Sequence, residues 1–353
     1  MAIYMRALIV EKPGTLRYTD VPKPVMRPYD ILARVSFTGI CGTDIDIYTG
    51  ETDLKFDYPV RIGHEWSGIV EEVGPETVGF EPGDRVISDT WASCGLCAAC
   101  RDGNPKGCDA PRSIGTINAW DGAFAEYMRL PYWHLYKIPD NVPLDAATLV
   151  EPATIAGNGL SRAGVEPGTS LLVIGSGAIG LSAVGLAKHF GVKKVIFAGR
   201  RENKLAIAKK MGADAVINVA KEDLIRRVLE ETGKGADRII EASGSIECVR
   251  LGIAAAAPGG RLCPLGFYGA DLSGVPLDRL VIDGVSIVTS IIATDAIGKL
   301  NEIPSILNMV GEGSLDLGSL ITHRIAFDDA AGAIMDSRLY AETKIKMLVD
   351  MSI

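Results

Sequence analysis

Six apolar runs, spaced roughly twenty to twenty-five residues apart, dominate the chain from Leu171 onward. They are LLVI at Leu171, VIFA at Val195, AVI at Ala215, RIIEA at Arg238, RLCPL at Arg261 and VSIV at Val285. Between the first five lie segments of helical period such as ENKLAIAKKMG and KEDLIRRVLEETG, the second placing Ile225, Val228 and Leu229 on one face. Strands alternating with helices at this spacing imply a six-strand parallel, doubly wound sheet. Before residue 150 the texture differs. Short β-like runs, ILARVSF, GIVEEVG and DRVISDT, are separated by turn signals such as Glu81-Pro82-Gly83-Asp84, which suggests an irregular, barrel-like β domain. The last fifty-odd residues are mixed and end in a strand-like KIKMLVDM. A chain of 353 residues has room for two domains, one interrupting the other. We place the β-rich domain at residues 1–155 and 295–353 and the α/β domain at 156–294. We find no internal repeat, low-complexity tract or disordered linker.

The first apolar run leads directly into Gly175-Ser176-Gly177-Ala178-Ile179-Gly180, a G-x-G-x-x-G that opens a helical segment. Glycines in this pattern permit a tight turn, close approach of a pyrophosphate, and helix–strand packing, with the helix N-terminus facing the anion. The strand–turn–helix context makes this a dinucleotide site. An NAD site carries an acid about twenty residues on, to hold the adenosine ribose hydroxyls. Here the second run ends in Gly199-Arg200-Arg201. With no acid at that point to repel a 2′-phosphate, and two guanidiniums placed to pair with it, NADP is the preferred cofactor and NAD a possible one. Leu265 and Gly266, after the fifth run, complete the candidate cofactor-binding set.

Seven cysteines, an odd count in a chain whose N-terminus shows no secretion signal, argue against a disulfide framework. Cys94, Cys97, Cys100 and Cys108 offer four thiolates at spacings that can close around one tetrahedral zinc, a structural site with no open position. Iron–sulfur ligation is the rival reading, but the trailing gap does not match the bacterial ferredoxin run. A second, dispersed set comprises Cys41 in GICGTD, His64 and Glu65 in GHEWSG, and Glu151 in VEPAT. One cysteine, one histidine and one or two glutamates meet the needs of a catalytic zinc. Spacing alone leaves them equally readable as satisfied polar residues.

Composition narrows the partners. With 36 Lys and Arg against 44 Asp and Glu, the net charge is −8, and a duplex or an anionic membrane surface is disfavoured. The run Leu171–Ala187 is borderline short for a membrane span and broken by glycines, so it reads as a buried strand turning into a helix. The expectation is a cytoplasmic enzyme acting on a small molecule, without nucleic acid or membrane.

Taken together, GICGTD, GHEWSG, GFEPGDRV, the four-cysteine loop, LVEP, GSGAIG, EASG, PGGRL and a closing THR-x-x-F resemble the zinc-dependent medium-chain dehydrogenases, particularly the sorbitol (polyol) and threonine dehydrogenase branch. The resemblance runs nearly end to end. It implies a GroES-like catalytic domain interrupted by a Rossmann domain, with substrate in the cleft between them. It implies a catalytic zinc on Cys41, His64 and Glu65 or Glu151, and a second, structural zinc. Thr43 matches the hydroxyl that receives the alcohol proton, although a threonine capping a helix at GTD is compatible with the same position. Many relatives carry a histidine where this chain has Asp46, which makes Asp46 a candidate for the proton relay. Ser290–Leu300 lacks an obvious match to the arginine-bearing segment of sorbitol dehydrogenases. Tyr48, Trp66, Trp91 and Asn158 are candidate residues near the cleft, and His134, His189 and His323 read as structural or exposed. The resemblance also implies a homodimer or homotetramer, with VSIVTSII either an edge strand or an interior one. The expected reaction is reversible hydride transfer between a secondary alcohol of a polyol, sugar or cyclitol and NADP. L-Threonine oxidation or broad alcohol/aldehyde reduction is the alternative, and a non-catalytic binding protein the remote one.

Overall fold

The computed structural model describes residues 3–104, 107–110, 112–117, 120–269, 273–290, 302–336, 340 and 342–353. The segment compared with the sorbitol dehydrogenases lies, beyond Ser290, outside the described residues. The chain divides into two compact units, Met1–Glu151 with Ala293–Ile353, and Pro152–Ile292.

The second unit is built on a six-stranded sheet: Ser170–Ile174, Lys194–Gly199, Ala215–Asn218, Ala236–Glu241, Ala256–Pro264 and Ser286–Ile287. All its pairings are parallel, and in space the strands run third, second, first, fourth, fifth, sixth. This is the doubly wound order, whose ligand crevice lies at the carboxyl ends of the strands where the order reverses. Every residue of Ser170–Ile174 is buried, as expected for a strand covered on both faces. The helix that follows, Ala178–Ala187, is apolar all round because all of it but Ile179 is buried. In helix Leu224–Thr232 the buried pair is Leu224 and Val228, one turn apart, with Ile225 partly buried beside them. Leu229 is 45% exposed, so the inward face is rotated by about one position from the one read in the sequence. Ser286–Ile287 is an edge strand, paired only with Ala256–Pro264 among the described residues.

The first unit is rich in β-strands. Its largest sheet is organised on Asp30–Gly39, which pairs along one edge with Glu65–Val73. Tyr127–Pro131 and the C-terminal Lys346–Asp350 share its other edge. At the end of this central strand Gly39 therefore stands between Glu65 and Leu348. The packing beneath is apolar, with Val35, Trp66, Val70, Val86 and Met128 in one cluster, each side chain contributing about 1.5–3 kcal/mol on burial. Trp66 is 2% exposed and donates its indole N–H to Ser88 Oγ at 2.8 Å, so it is core rather than cleft lining. Alternation along the strand explains this: with Glu65 turned to one face, Trp66 must turn to the other. Among the described residues no helix is long and apolar enough to cross a membrane.

Candidate active site

Helix Gly42–Thr49 starts at Cys41, whose backbone N–H donates to Asp44 Oδ2 at 2.8 Å in a capping box. The capping acid is Asp44, not the neighbouring Thr43. The other Asp44 oxygen accepts from the Gly63 N–H at 3.1 Å and lies 3.9 Å from His64 Nδ1. One fully buried carboxylate thus ties the turn that carries Cys41 to the segment that carries His64 and Glu65. Cys41, His64 and Glu65 offer ligand atoms that all lie within 4.8 Å of one another. Thr43 Oγ1 is 3.8 Å from Cys41 Sγ. Glu151, in the first turn of helix Val150–Ala163, is buried and accepts from Thr90 Oγ1 at 2.6 Å, outside that trio. Asp46 is half-buried on the same helix as Thr43, and no hydrogen bond among the described residues joins its side chain to the cluster.

The electrostatics suit a cation. Burial opposes charge on His64, yet the Cys41 sulfur, by charge and hydrogen bond, with Asp44 and Glu151 behind it, holds the imidazole well above its ordinary range. Burial pushes the Asp44 carboxyl up to about 6 against the pull of His64, and burial raises Glu151 as well. His64 Nδ1 is buried without a hydrogen-bond partner among the described residues. A donor set that attracts a proton this strongly also attracts a divalent cation, for which the proton must leave. The residues fit zinc.

The four cysteines of the loop gather independently, with all four sulfurs within 4.8 Å of one another. Backbone N–H groups support the sulfurs: Cys97 donates to Cys94 Sγ at 3.3 Å, Cys94 to Cys108 Sγ at 3.3 Å and Ala110 to Cys108 Sγ at 3.4 Å. Backbone hydrogen bonding at Asp109, then at Cys100, lowers the Cys97 thiol, while burial raises Cys100. None of the seven cysteines is paired in a disulfide.

In the second unit the glycine turn has three distinct jobs. Gly175 sits at φ +119°, where a side chain would strike the Ala242 backbone at 2.5 Å. A Cβ at Gly180 would meet the Gly175 carbonyl oxygen at 2.0 Å, so the helix packs directly on the turn. Gly177, the N-cap of Ala178–Ala187, has no atom within 4 Å of where its Cβ would stand, leaving the approach to the helix N-terminus open. This is a cradle that suits a pyrophosphate. Gly199 is buried at the end of the second strand, and Arg200 is exposed just beyond it. Arg201 caps helix Glu202–Met211. Glu202, the next acid along the chain, accepts from Asn218 Nδ2 at 2.6 Å and Lys221 Nζ at 2.7 Å, so its charge is balanced there. Leu265 donates its N–H to the Glu241 carbonyl at 2.8 Å, and Gly266 faces Tyr268, fixing both beside the fourth strand.

Comparison with known proteins agrees with this geometry. Residues 27–140 match the family model described as alcohol dehydrogenase GroES-like domain, and residues 178–310 the one described as zinc-binding dehydrogenase. An L-threonine 3-dehydrogenase of Pyrococcus horikoshii is 35% identical over 332 residues, covering 92% of both chains. The chain belongs to the zinc-dependent medium-chain alcohol dehydrogenase family. It is an oxidoreductase acting on CH–OH groups. Among solved structures, a zinc-binding dehydrogenase of Sinorhizobium meliloti bound to NADP superposes with a TM-score of 0.87 at 29% identity, covering 99% of each chain. Galactitol-1-phosphate dehydrogenase of Escherichia coli superposes with a TM-score of 0.86 at 25% identity, covering 98% of this chain and 100% of that one.

Three site residues of this dehydrogenase escaped the sequence reading. Asp44 anchors the backbone at Gly63, next to His64, and Thr90 donates to Glu151. Lys346, from the C-terminal strand, donates to both Glu65 oxygens at 2.7 and 2.6 Å. The aspartate was detectable as the third residue after Cys41, the spacing of a capping box. For the other two no local signal exists.

Proposed function

We propose that this dehydrogenase transfers a hydride, reversibly, between NADP and a secondary alcohol of a polyol, sugar or cyclitol. The observation that carries the catalytic part is the convergence of Cys41, His64 and Glu65 next to the Thr43 hydroxyl. Those three, with Glu151 as the alternative carboxylate, would hold a catalytic zinc, which supplies Lewis-acid polarisation of the alcohol oxygen when bound. The Thr43 hydroxyl takes the alcohol proton as it gives up its own, which leaves through Asp46, one helical turn on, or directly to solvent. The glycine turn orients the dinucleotide, and Arg200 and Arg201 at the end of the second strand pair with its 2′-phosphate. The four cysteines hold a second zinc that is structural.

L-Threonine is the second reading, favoured by the name of the Pyrococcus relative. The deciding test is initial-rate cofactor reduction by zinc-loaded protein across polyols, aldoses, cyclitols, L-threonine and simple alcohols, with NADP and NAD in parallel. NADP-linked turnover of a polyhydroxy compound is expected. Silence across the polyols with activity on L-threonine moves the substrate to the second reading and leaves the chemistry in place.

Metal analysis should find two zinc per chain. Cys108→Ser should lower that to one and reduce Tm by about 5–10 °C, the scale of a loss of about 2–3 kcal/mol. Full stability with one zinc would show that the loop folds without metal.

A further inference from the structure

Glu65 is claimed from two sides. On one side one of its oxygens lies within 4.8 Å of the Cys41 sulfur and of a His64 ring nitrogen. On the other, Lys346 donates to both oxygens at 2.7 and 2.6 Å and spends its third proton on the Ile40 carbonyl at 3.2 Å. The lysine side chain is 6% exposed and the glutamate 1%, so water screens neither charge. The lane that brings them together runs over Gly39, the residue flanked by Glu65 and Leu348. A Cβ at position 39 would stand 2.2 Å from Glu65 Oε2. The carboxylate therefore occupies a socket made by a missing side chain, a buried ammonium and a carbonyl.

We propose that Lys346 is a positioning residue that holds Glu65 against the pull of the catalytic metal, in a socket that exists because residue 39 is glycine. The proposal rests on the catalytic-zinc reading of Cys41 and His64 given above. A carboxylate has lone pairs for both partners, but its negative charge is finite. What Lys346 neutralises is withheld from the metal, and the lysine's own charge repels the cation further. The metal is held less tightly, and keeps more of its positive charge, than a full cysteine, histidine and glutamate set would allow. Outer-shell partners of this kind usually strengthen a site by orienting its ligands. Here the partner carries the metal's own sign of charge, so the effect reverses.

The test is metal affinity. Metal-free protein is titrated with zinc against a competing chelator and with cobalt(II), whose thiolate absorption reports Cys41 once the signal of a Cys41→Ser variant, which retains only the four-cysteine loop, is subtracted. Lys346→Met removes the competing charge. Gly39→Ala leaves every charge in place and pushes the carboxylate out of its socket, so it serves even where Lys346→Met fails to fold. Both should tighten the Cys41-dependent site by about tenfold, the lower end of the range over which outer-shell partners act. Lys346→Arg, which keeps the charge, should stay close to wild type. Unchanged or weaker binding in both Lys346→Met and Gly39→Ala overturns the proposal while leaving catalytic zinc intact. A wild-type chain that takes up metal only at the four-cysteine loop overturns the catalytic-zinc reading, and this proposal with it.

Discussion

Cys41→Ser should reduce kcat/KM by about a thousandfold or more and leave the fold standing. The loss follows from the chemistry: a serine hydroxyl stays protonated near neutral pH and does not replace a thiolate as a zinc ligand. Polarisation by a bound zinc is worth several kcal/mol of transition-state charge stabilisation, and about 4 kcal/mol corresponds to about a thousandfold in rate. Stability follows from the position. Cys41 is an N-cap, and the bond its backbone makes to Asp44 Oδ2 does not involve the side chain. Serine is itself a preferred N-cap, so with both proteins metal-free Tm should hold or rise slightly, while the zinc-loaded variant forgoes the stabilisation that the lost metal gives. Kinetics, metal content and thermal melting on the same preparation check the claim together, with zinc expected to fall from two to one per chain. Undiminished turnover would remove Cys41 from the chemistry. A large drop in Tm between the metal-free proteins would mean that the sulfur serves structure.

The variant isolates a part of the molecule that local sequence displayed well. Cys41 and the His64-Glu65 pair each sit in short glycine-bounded motifs, and the glycines have physical work at those points. A side chain at Gly63 would strike Phe124 at 2.6 Å, and one at Gly39 would strike the Glu65 carboxylate. The six parallel strands were legible for a related reason: a strand covered on both faces must be continuously apolar, and each run ends where the chain turns. Side-chain facing was harder to read. Leu229 and Trp66 both depend on a rotation or an alternation that the run of residues leaves open by one position. Least legible were the groups that hold the candidate ligands. Lys346 is 281 positions from Glu65 and Thr90 is 61 positions from Glu151, and each is a single polar residue in an unremarkable strand or loop. Only the pairing of the C-terminal strand with Asp30–Gly39 brings the lysine to its carboxylate, and long-range pairing of that kind leaves no periodicity behind.

Gly199→Asp should shift the ratio of kcat/KM for NADP over NAD by about a hundredfold toward NAD. Space permits the change. Gly199 has ordinary backbone torsions for any residue, and its Cβ would stand 3.3 Å from Ser176 Cβ and 3.5 Å from Leu205 Cδ2 and Phe197 Cε1. Only the Ser176 contact is tight, so a shift of a few tenths of an ångström accommodates it. The new carboxylate would lie at the end of the second strand, where it can accept from a ribose 2′-hydroxyl and must repel a 2′-phosphate. Two like charges about 5 Å apart, at an effective dielectric near 20, oppose each other by about 3 kcal/mol, which is about a hundredfold in affinity. Arg200 and Arg201 remain in the variant, so some NADP activity should persist. Replacing both by alanine in the Gly199→Asp background should remove that remainder while leaving the NAD rate nearly unchanged. The two arms separate the contributions: repulsion reads out in the first variant, guanidinium pairing in the second. A wild-type enzyme that already prefers NAD, or a ratio unmoved by both changes, would mean that the adenosine ribose is held elsewhere and that Arg200 and Arg201 are bystanders on the surface.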